Sequence, residues 1–191
     1  MADALKSGAI LAKLGSALPE TGLPMAGLNA ARFRNGVVLE IAPGAAIETP
    51  IHLISVTGAG AGIDPRHLVL VGENAEITLA ETHVSVGEGV TAINRVSEIL
   101  LAPSARLKHR VLFAEGADVS HIATTGLHLA ERATYHGVYL ALGKGLLRNE
   151  MRATLTGPHA EAHMRGAYVG RDAAHIDNTT FIDHAAPDCL S

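Results

Sequence analysis

A short pattern recurs along this chain about every 28 residues, and few folds can accommodate it. Four stretches share it: Leu39–Ile47, Val69–Ile77, Ile99–Leu107 and Leu127–Tyr135; a weaker fifth covers Leu155–Ala162. Aligned on Ala45, Ala75, Ala105, Ala133 and Ala160, the first four copies place Ile41, Val71, Leu101 and Leu129 four residues earlier. Two residues after the alanines stand Ile47, Ile77, Leu107, Tyr135 and Ala162. The fifth copy slips by one residue before its alanine, which implies a longer turn.

The alternation within each copy has the two-residue period of a strand. Gly, Pro, Asn and Ser gather before each alanine, where a corner is expected. Strands of successive coils stack about 4.8 Å apart, so only a small side chain fits inside a tight bend. A second strand follows each corner: His52–Val56, Thr82–Val86, Val111–Phe113 and Val138–Leu142. One coil therefore reads as strand, small corner, strand and looser return. Each coil buries its apolar face only against its neighbours, which is the logic of a solenoid. The expected fold class is all-β: a parallel β-helix over residues 31–191, preceded by a short helical segment and linker over residues 1–30. A β-sandwich would show repeated hairpin signals, and Asn35-Gly36 is the one Asn-Gly in the chain. No six-residue repeat of a left-handed hexapeptide helix is visible, and helical periodicity is weak beyond residue 30.

Composition narrows the function. Net charge is −4, no Lys/Arg cluster appears, aromatics are 3% and Trp is absent, so neither a phosphate-tracking surface nor a base-stacking platform is expected. The single cysteine, Cys189, offers no internal disulfide, which suits a reducing compartment such as the cytoplasm. The apolar run Gly8–Ala12 is interrupted by Lys13 and too short to span a bilayer; it reads as a short amphipathic helix.

Eleven histidines make metal binding worth weighing. His159 and His163 have a metal-like spacing but read as solvated corner residues. His52, His67, His83, His109, His121, His128 and His136 form no ladder in register, and most read as surface or edge residues. No phosphate loop, nucleophile elbow or acid–base pair can be assembled, so no catalytic residue is expected. The tail is denser: His175, Asp177, Asp183, His184 and Cys189 are ligand types for iron or zinc. Their spacing is not diagnostic, and a polar strand with a turn explains them as well. Asp177 and Asp183 share a face by parity and His184 points the other way; Pro187 breaks the strand before Cys189.

The run His175-x-Asp177…Thr180…Asp183-His184…Pro187…Cys189…Ser191 resembles the core of SufD and its paralogue SufB, and is closer to SufD. Leu147–Met151 with Leu155-Thr-Gly157 and Ala160–Ala162 is similar to the preceding coil of that family, and Gly36–Val38 through Glu48–Leu53 to its first coil. The resemblance spans about residues 28–191. It implies a right-handed parallel β-helix in a non-enzymatic scaffold subunit. That subunit pairs with a SufB-like paralogue, or with itself, in a complex with a SufC-like ATPase that assembles iron–sulfur clusters. No resident cofactor is implied; iron or a nascent cluster would be present transiently in the assembled complex. Family members continue past Ser191 with more coils and a helical domain that docks the ATPase, so no docking or cluster-forming residue is carried over. An open β-helix end leaves unpaired N–H and C=O groups, from which we expect homo-oligomers through the C-terminal coils. Two other readings stand beside this: a carbohydrate-active β-helix enzyme of the polysaccharide lyase or hydrolase type, and a small iron- or zinc-binding protein using the tail residues.

Overall fold

The structure, a computed structural model, describes residues 7–18 and 22–191. Two short helices, α1 (Gly8–Leu11) and α2 (Pro24–Arg32), precede twelve strands. These are β1 (Val38–Ile41), β2 (Ile51–Gly58), β3 (Gly62–Ile63), β4 (Arg66–Val71), β5 (Glu76–Val86) and β6 (Thr91–Leu101). They continue with β7 (Arg106–Ala114), β8 (Val119–Leu129), β9 (Thr134–Ala141), β10 (Leu146–Leu155), β11 (Glu161–Tyr168) and β12 (His175–His184).

The strands divide between two parallel sheets. Sheet A runs β1-β4-β6-β8-β10-β12, with β3 also beside β6; sheet B runs β2-β5-β7-β9-β11. Successive strands alternate between the sheets from β4 onward, so each coil contributes one strand to each and the chain winds a flattened parallel β-helix. The register keeps like with like: Val69, Ile99, Leu127, Ala153 and Ile182 form one row of sheet A.

The corners explain the alanine pattern. The residue before each corner alanine is left-handed: Gly44, Asn74, Ser104, Arg132 and His159 all have φ between 54° and 71°. This conformation reverses the chain in one tight turn, closed by Ala75 N–H to Gly72 O, Ala105 N–H to Ala102 O and Ala133 N–H to Ala130 O. It also aims each left-handed residue's own N–H at the next coil: Asn74 donates to Pro103 O, Ser104 to Glu131 O and Arg132 to Pro158 O. The corner is thus a hydrogen-bonded ladder, and the alanine it turns inward is fully buried at Ala75, Ala105, Ala133 and Ala160. The ladder has a sixth rung: Asp188 is left-handed (φ 58°) and Cys189 takes the alanine's place. At the slipped fifth copy, Thr156 and Gly157 both donate to Leu129 O, absorbing the additional residue. Gly157 is required there because a Cβ would lie 2.0 Å from Glu131 N.

The interior between the sheets is one continuous core from Ile41 to Ala162, with Leu79, Ile99, Leu127 and Leu155 at most 0% exposed. Burying each such side chain contributes roughly 1.5–3 kcal/mol. Two features differ from the sequence reading. The strands of sheet A begin well before the apolar triplets Ile99–Leu101 and Leu127–Leu129, at Thr91 and Val119, so the return is a short turn rather than a loose strand. Polar residues inside the helix (Arg95, Ser97, Thr125) interrupt the apolar alternation that would have revealed them. The second is α2, which starts with proline in its first turn and lays Leu23 and Ala26 on Val96, on the outer face of sheet A. Residues 1–6 of the expected N-terminal helix lie outside the described residues; α1 begins at Gly8.

A buried ion pair fastens this N-terminal part. Glu98, fully buried on the outer face of sheet A, accepts from Arg66 Nη2 (2.6 Å) and Nε (3.1 Å). It also accepts the backbone N–H groups of Gly15 (2.8 Å) and Ala17 (3.2 Å). Asn29 of α2, likewise buried, donates to Pro65 O and Asn94 O and accepts from Arg66.

Candidate functional site

Counting by twos from each corner alanine gives the inward positions of sheet B, and in the middle of the molecule these are not apolar. They include Glu81 and His83 on β5, His109 on β7, and Tyr135 and Tyr139 on β9. From sheet A, β6 points Arg95 and Ser97 at them. Glu81 is the hub. Its Oε2 accepts from Arg95 Nη1 (2.7 Å) and His83 Nε2 (3.2 Å), and its Oε1 from His109 Nε2 (2.9 Å). With His109 Nε2 protonated toward Glu81, its Nδ1 accepts from the Tyr135 hydroxyl (2.9 Å), and the Tyr139 hydroxyl lies in hydrogen-bond contact with that of Tyr135. Arg95 Nη1 also donates to Ser97 Oγ (2.9 Å), and its guanidinium sits over the Phe113 ring, against which His83 stacks.

The network is sealed, with Glu81, His83, Arg95 and His109 each at most 4% exposed. Burial by itself pushes the Glu81 carboxyl up, but Arg95 and the hydrogen bonds from His109 and His83 outweigh it and hold it well below the usual range. Burial lowers His83 to about 4 against the opposing hydrogen bond to Glu81, and lowers His67 to about 4 with Arg95 adding to it. His121, whose Nδ1 contacts Glu115 Oε1 at 2.8 Å, is also lowered, chiefly by burial. Burial raises both tyrosines, Tyr135 with a further push from Tyr139. At neutral pH the Glu81 carboxylate is paired with the Arg95 guanidinium beside the neutral imidazole of His83 and the neutral phenols of Tyr135 and Tyr139. Both carboxylate oxygens are occupied, so the cluster works as an internal brace between the sheets.

The sequence reading of most histidines as surface or edge residues is corrected here. His83, His109 and His121 are buried at 4%, 0% and 1% exposure, and His67 is half-buried with Nδ1 accepting from Val37 N–H. His52 and His136 are exposed and His128 half-buried. No ladder of identical residues marks the buried ones, but parity does: His83 stands four residues after inward Leu79, His109 two after Leu107 and His121 two after Val119. His159 is an exposed corner residue, whereas His163 lies on β11 and stacks on His136 with ring centroids 4.8 Å apart.

The tail residues are distributed over two strand faces and a corner. His175, Asp177 and Asp183 lie on the outer face of β12, opposite in parity to the core residues Ile176 and Ile182. Asp177 and Asp183 are about 20 Å apart along the strand, and Asp177 pairs with Arg148 at 3.5 Å. His184 has the inward parity and its Nε2 contacts Ser191 Oγ at 3.1 Å. Cys189, on the corner ladder, directs its thiol to Gly157 O at 3.4 Å. Among the described residues no three His, Cys, Asp or Glu side chains are placed to hold a metal ion together. At the C-terminal end of the interior a cavity of about 210 Å³ opens between the sheets, lined by Tyr139, Met151, Met164, Asn149, Asn178 and Thr180 among others. Among the described residues no helix is long and apolar enough to cross a membrane.

Comparison with known proteins agrees with this architecture. The family model described as the SUF system FeS cluster assembly SufBD core domain matches residues 54–191. An iron–sulfur cluster assembly SufBD family protein of Synechocystis is 26% identical over 170 residues, covering 82% of this chain and 38% of that protein. One of Mycobacterium tuberculosis is 30% identical over 141 residues, covering 72% and 34%. The chloroplastic protein ABCI7 of Arabidopsis thaliana is 29% identical over 159 residues, covering 78% and 34%. The chain therefore spans well under half the length of these relatives. No solved structure matches it significantly. The two-sheet parallel β-helix and the family match over most of its coils lead to one conclusion: the chain belongs to the SufBD family of the SUF iron–sulfur cluster assembly system.

Proposed function

We propose that the chain is a non-catalytic, SufD-type scaffold that pairs with a SufB-like paralogue, within a complex that also holds a SufC-like ATPase. One observation carries this reading. The coils over residues 54–191, wound as a two-sheet parallel β-helix, match the SufBD core domain. The buried brace of Glu81, Arg95 and His109 between the sheets suits a scaffold that must keep its shape on association. Iron and sulfide are cargo in this reading, met only in the assembled complex, and a reducing compartment suits the single thiol of Cys189. The carbohydrate-active alternative has no comparable observation behind it.

Size exclusion with light scattering tests the proposal, first on the chain alone and then after mixing with a SufB-like protein. A defined homodimer or heterodimer is the expected result. A chain that stays monomeric with the partner present would reject the pairing.

A further inference from the structure

The two sheets differ on their outer faces. Sheet A carries α2 and residues 13–18 across its N-terminal strands, while among the described residues no helix lies on the outer face of sheet B. Parallel sheets are ordinarily covered on both faces. The bare face is also divided lengthwise. One half is apolar, with Ile54, Thr82, Leu112, Leu140 and Ala167 in a single row. Beside that row, Val56 is 59% exposed, Leu142 44% and Val169 51%. The other half is basic. Arg110 and Arg165 flank Val138 in the next row, and Arg106 and Lys108 lie beyond them, with Glu76 and Glu161 in the outermost row. Lys108 is paired with Glu76 at 2.8 Å, but among the described residues Arg106, Arg110 and Arg165 have no carboxylate partner. A basic half-face on a chain of net charge −4 is a segregated patch.

We propose that this face docks an acidic amphipathic helix of a partner protein. The charge pattern selects the occupant. A second copy docks face to face only about a two-fold axis lying in the interface plane. An axis along the strands sets arginines against arginines; an axis across them sets arginines against leucines. With the whole face covered, neither brings Glu76 or Glu161, in the outermost row of the basic half, onto Arg110 and Arg165. A membrane is disfavoured because the apolar side chains stand on a flat sheet face and not on an amphipathic helix that could insert. A metal ion at the His136–His163 stack is disfavoured by Arg110 and Arg165 beside it, which already oppose protonation of His136. A helix with an apolar stripe and glutamates along its flank satisfies both halves. Five strands span about 19 Å, which about 13 helical residues cross. The protein shows the same solution on its other side, where α2 crosses sheet A with Leu23 and Ala26 on Val96.

The probe is a synthetic amphipathic helix of about 18 residues with leucines on one face and glutamates on its flanks, beside a twin carrying lysine for glutamate. Fluorescence anisotropy with the full chain measures affinity, and amide NMR or hydrogen exchange maps the footprint. The expected result is that only the acidic helix binds, protecting β7, β9 and β11. The double variant R110E/R165E should weaken it at least tenfold, Leu140→Ser should weaken it similarly, and raising salt should weaken it further. These side chains point outward, so circular dichroism should show both variants folded. The proposal is overturned by any of four results: no binding of the acidic helix, equal binding of its lysine twin, a footprint elsewhere, or binding indifferent to the variants. Self-association abolished by Leu140→Ser would assign the face to a second copy instead. Binding to phosphatidylserine vesicles that R110E/R165E abolishes would assign it to a lipid surface; either assignment would displace the helix.

Discussion

At the residue scale, the most consequential side chain is Glu81. Removing one member of a buried ion pair leaves its partner charged and unsolvated, which costs about 3–5 kcal/mol. Arg95 has little to fall back on, because its Nε and Nη2 are already without partners among the described residues. Glu81→Ala should therefore destabilise the protein by about 3–5 kcal/mol in urea unfolding, whereas removing the exposed carboxylate of Glu131 by Glu131→Ala should change stability by under 1 kcal/mol. The buried histidines set the pH response. His67 and His83 have folded-state values near 4 against 6.5 for the free side chain, so between those limits the unfolded chain binds more protons. Stability is then fully present above about pH 6.5 and is lost as pH falls toward 4, by up to about 3 kcal/mol for each histidine. His121 acts in the same direction, and the depressed Glu81 carboxyl extends the loss to lower pH. Urea midpoints across that range check it; a flat profile would mean the imidazoles are solvated. Cys189 stands where four other coils bury an alanine, so Cys189→Ala should shift the melting temperature by no more than about 2 °C. If the thiol held iron, that variant would lose bound metal on mild anaerobic loading, which elemental analysis reads directly.

At the scale of elements, the N-terminal strap and the corners are governed by backbone approach. Gly126 on β8 lies under the strap, and a Cβ there would meet Ala17 O at 2.4 Å and Leu18 at 2.8 Å. Gly126→Ala should lift residues 13–18 off Glu98, at a cost of about 1–3 kcal/mol. Hydrogen exchange should show Gly15 and Ala17 amides deprotected while β6 and β8 stay protected. The corners were visible in the sequence as Pro-Gly-Ala, Glu-Asn-Ala and Pro-Ser-Ala, because a left-handed residue and a small inward residue must be adjacent for successive coils to stack. The early halves of β6, β8 and β10 were not visible. Their inward residues, Arg95, Ser97, Thr125 and Asn149 among them, are polar; Arg95 is held by Glu81 of the other sheet, Asn149 by Asn178 on β12, and Thr125 Oγ1 has no partner among the described residues. The α2 helix was obscured for a similar reason: only nine residues long, it is fixed by Asn29 reaching two carbonyls on neighbouring coils.

For the whole molecule, stability adds up coil by coil, since each coil touches mainly its neighbours. The central strands β6 and β8 have partners on both sides, whereas β12 pairs with β10 alone and β11 with β9 and, at Glu161, with Leu190. Hydrogen exchange should accordingly be slowest in β6–β8 and faster in β2 and β12, which pair on one side. The sequence by itself determined the solenoid, its period, its corners and its family resemblance, because these rest on local rules: strand parity, the left-handed turn and the small inward residue. Only the tertiary structure decided what the parity means chemically. It brought Glu81, His109 and Tyr139 from three different coils against Arg95 from the opposite sheet, and left one face of sheet B bare while α2 covered sheet A. Those outcomes depend on distances between residues far apart in the chain, which no local pattern encodes.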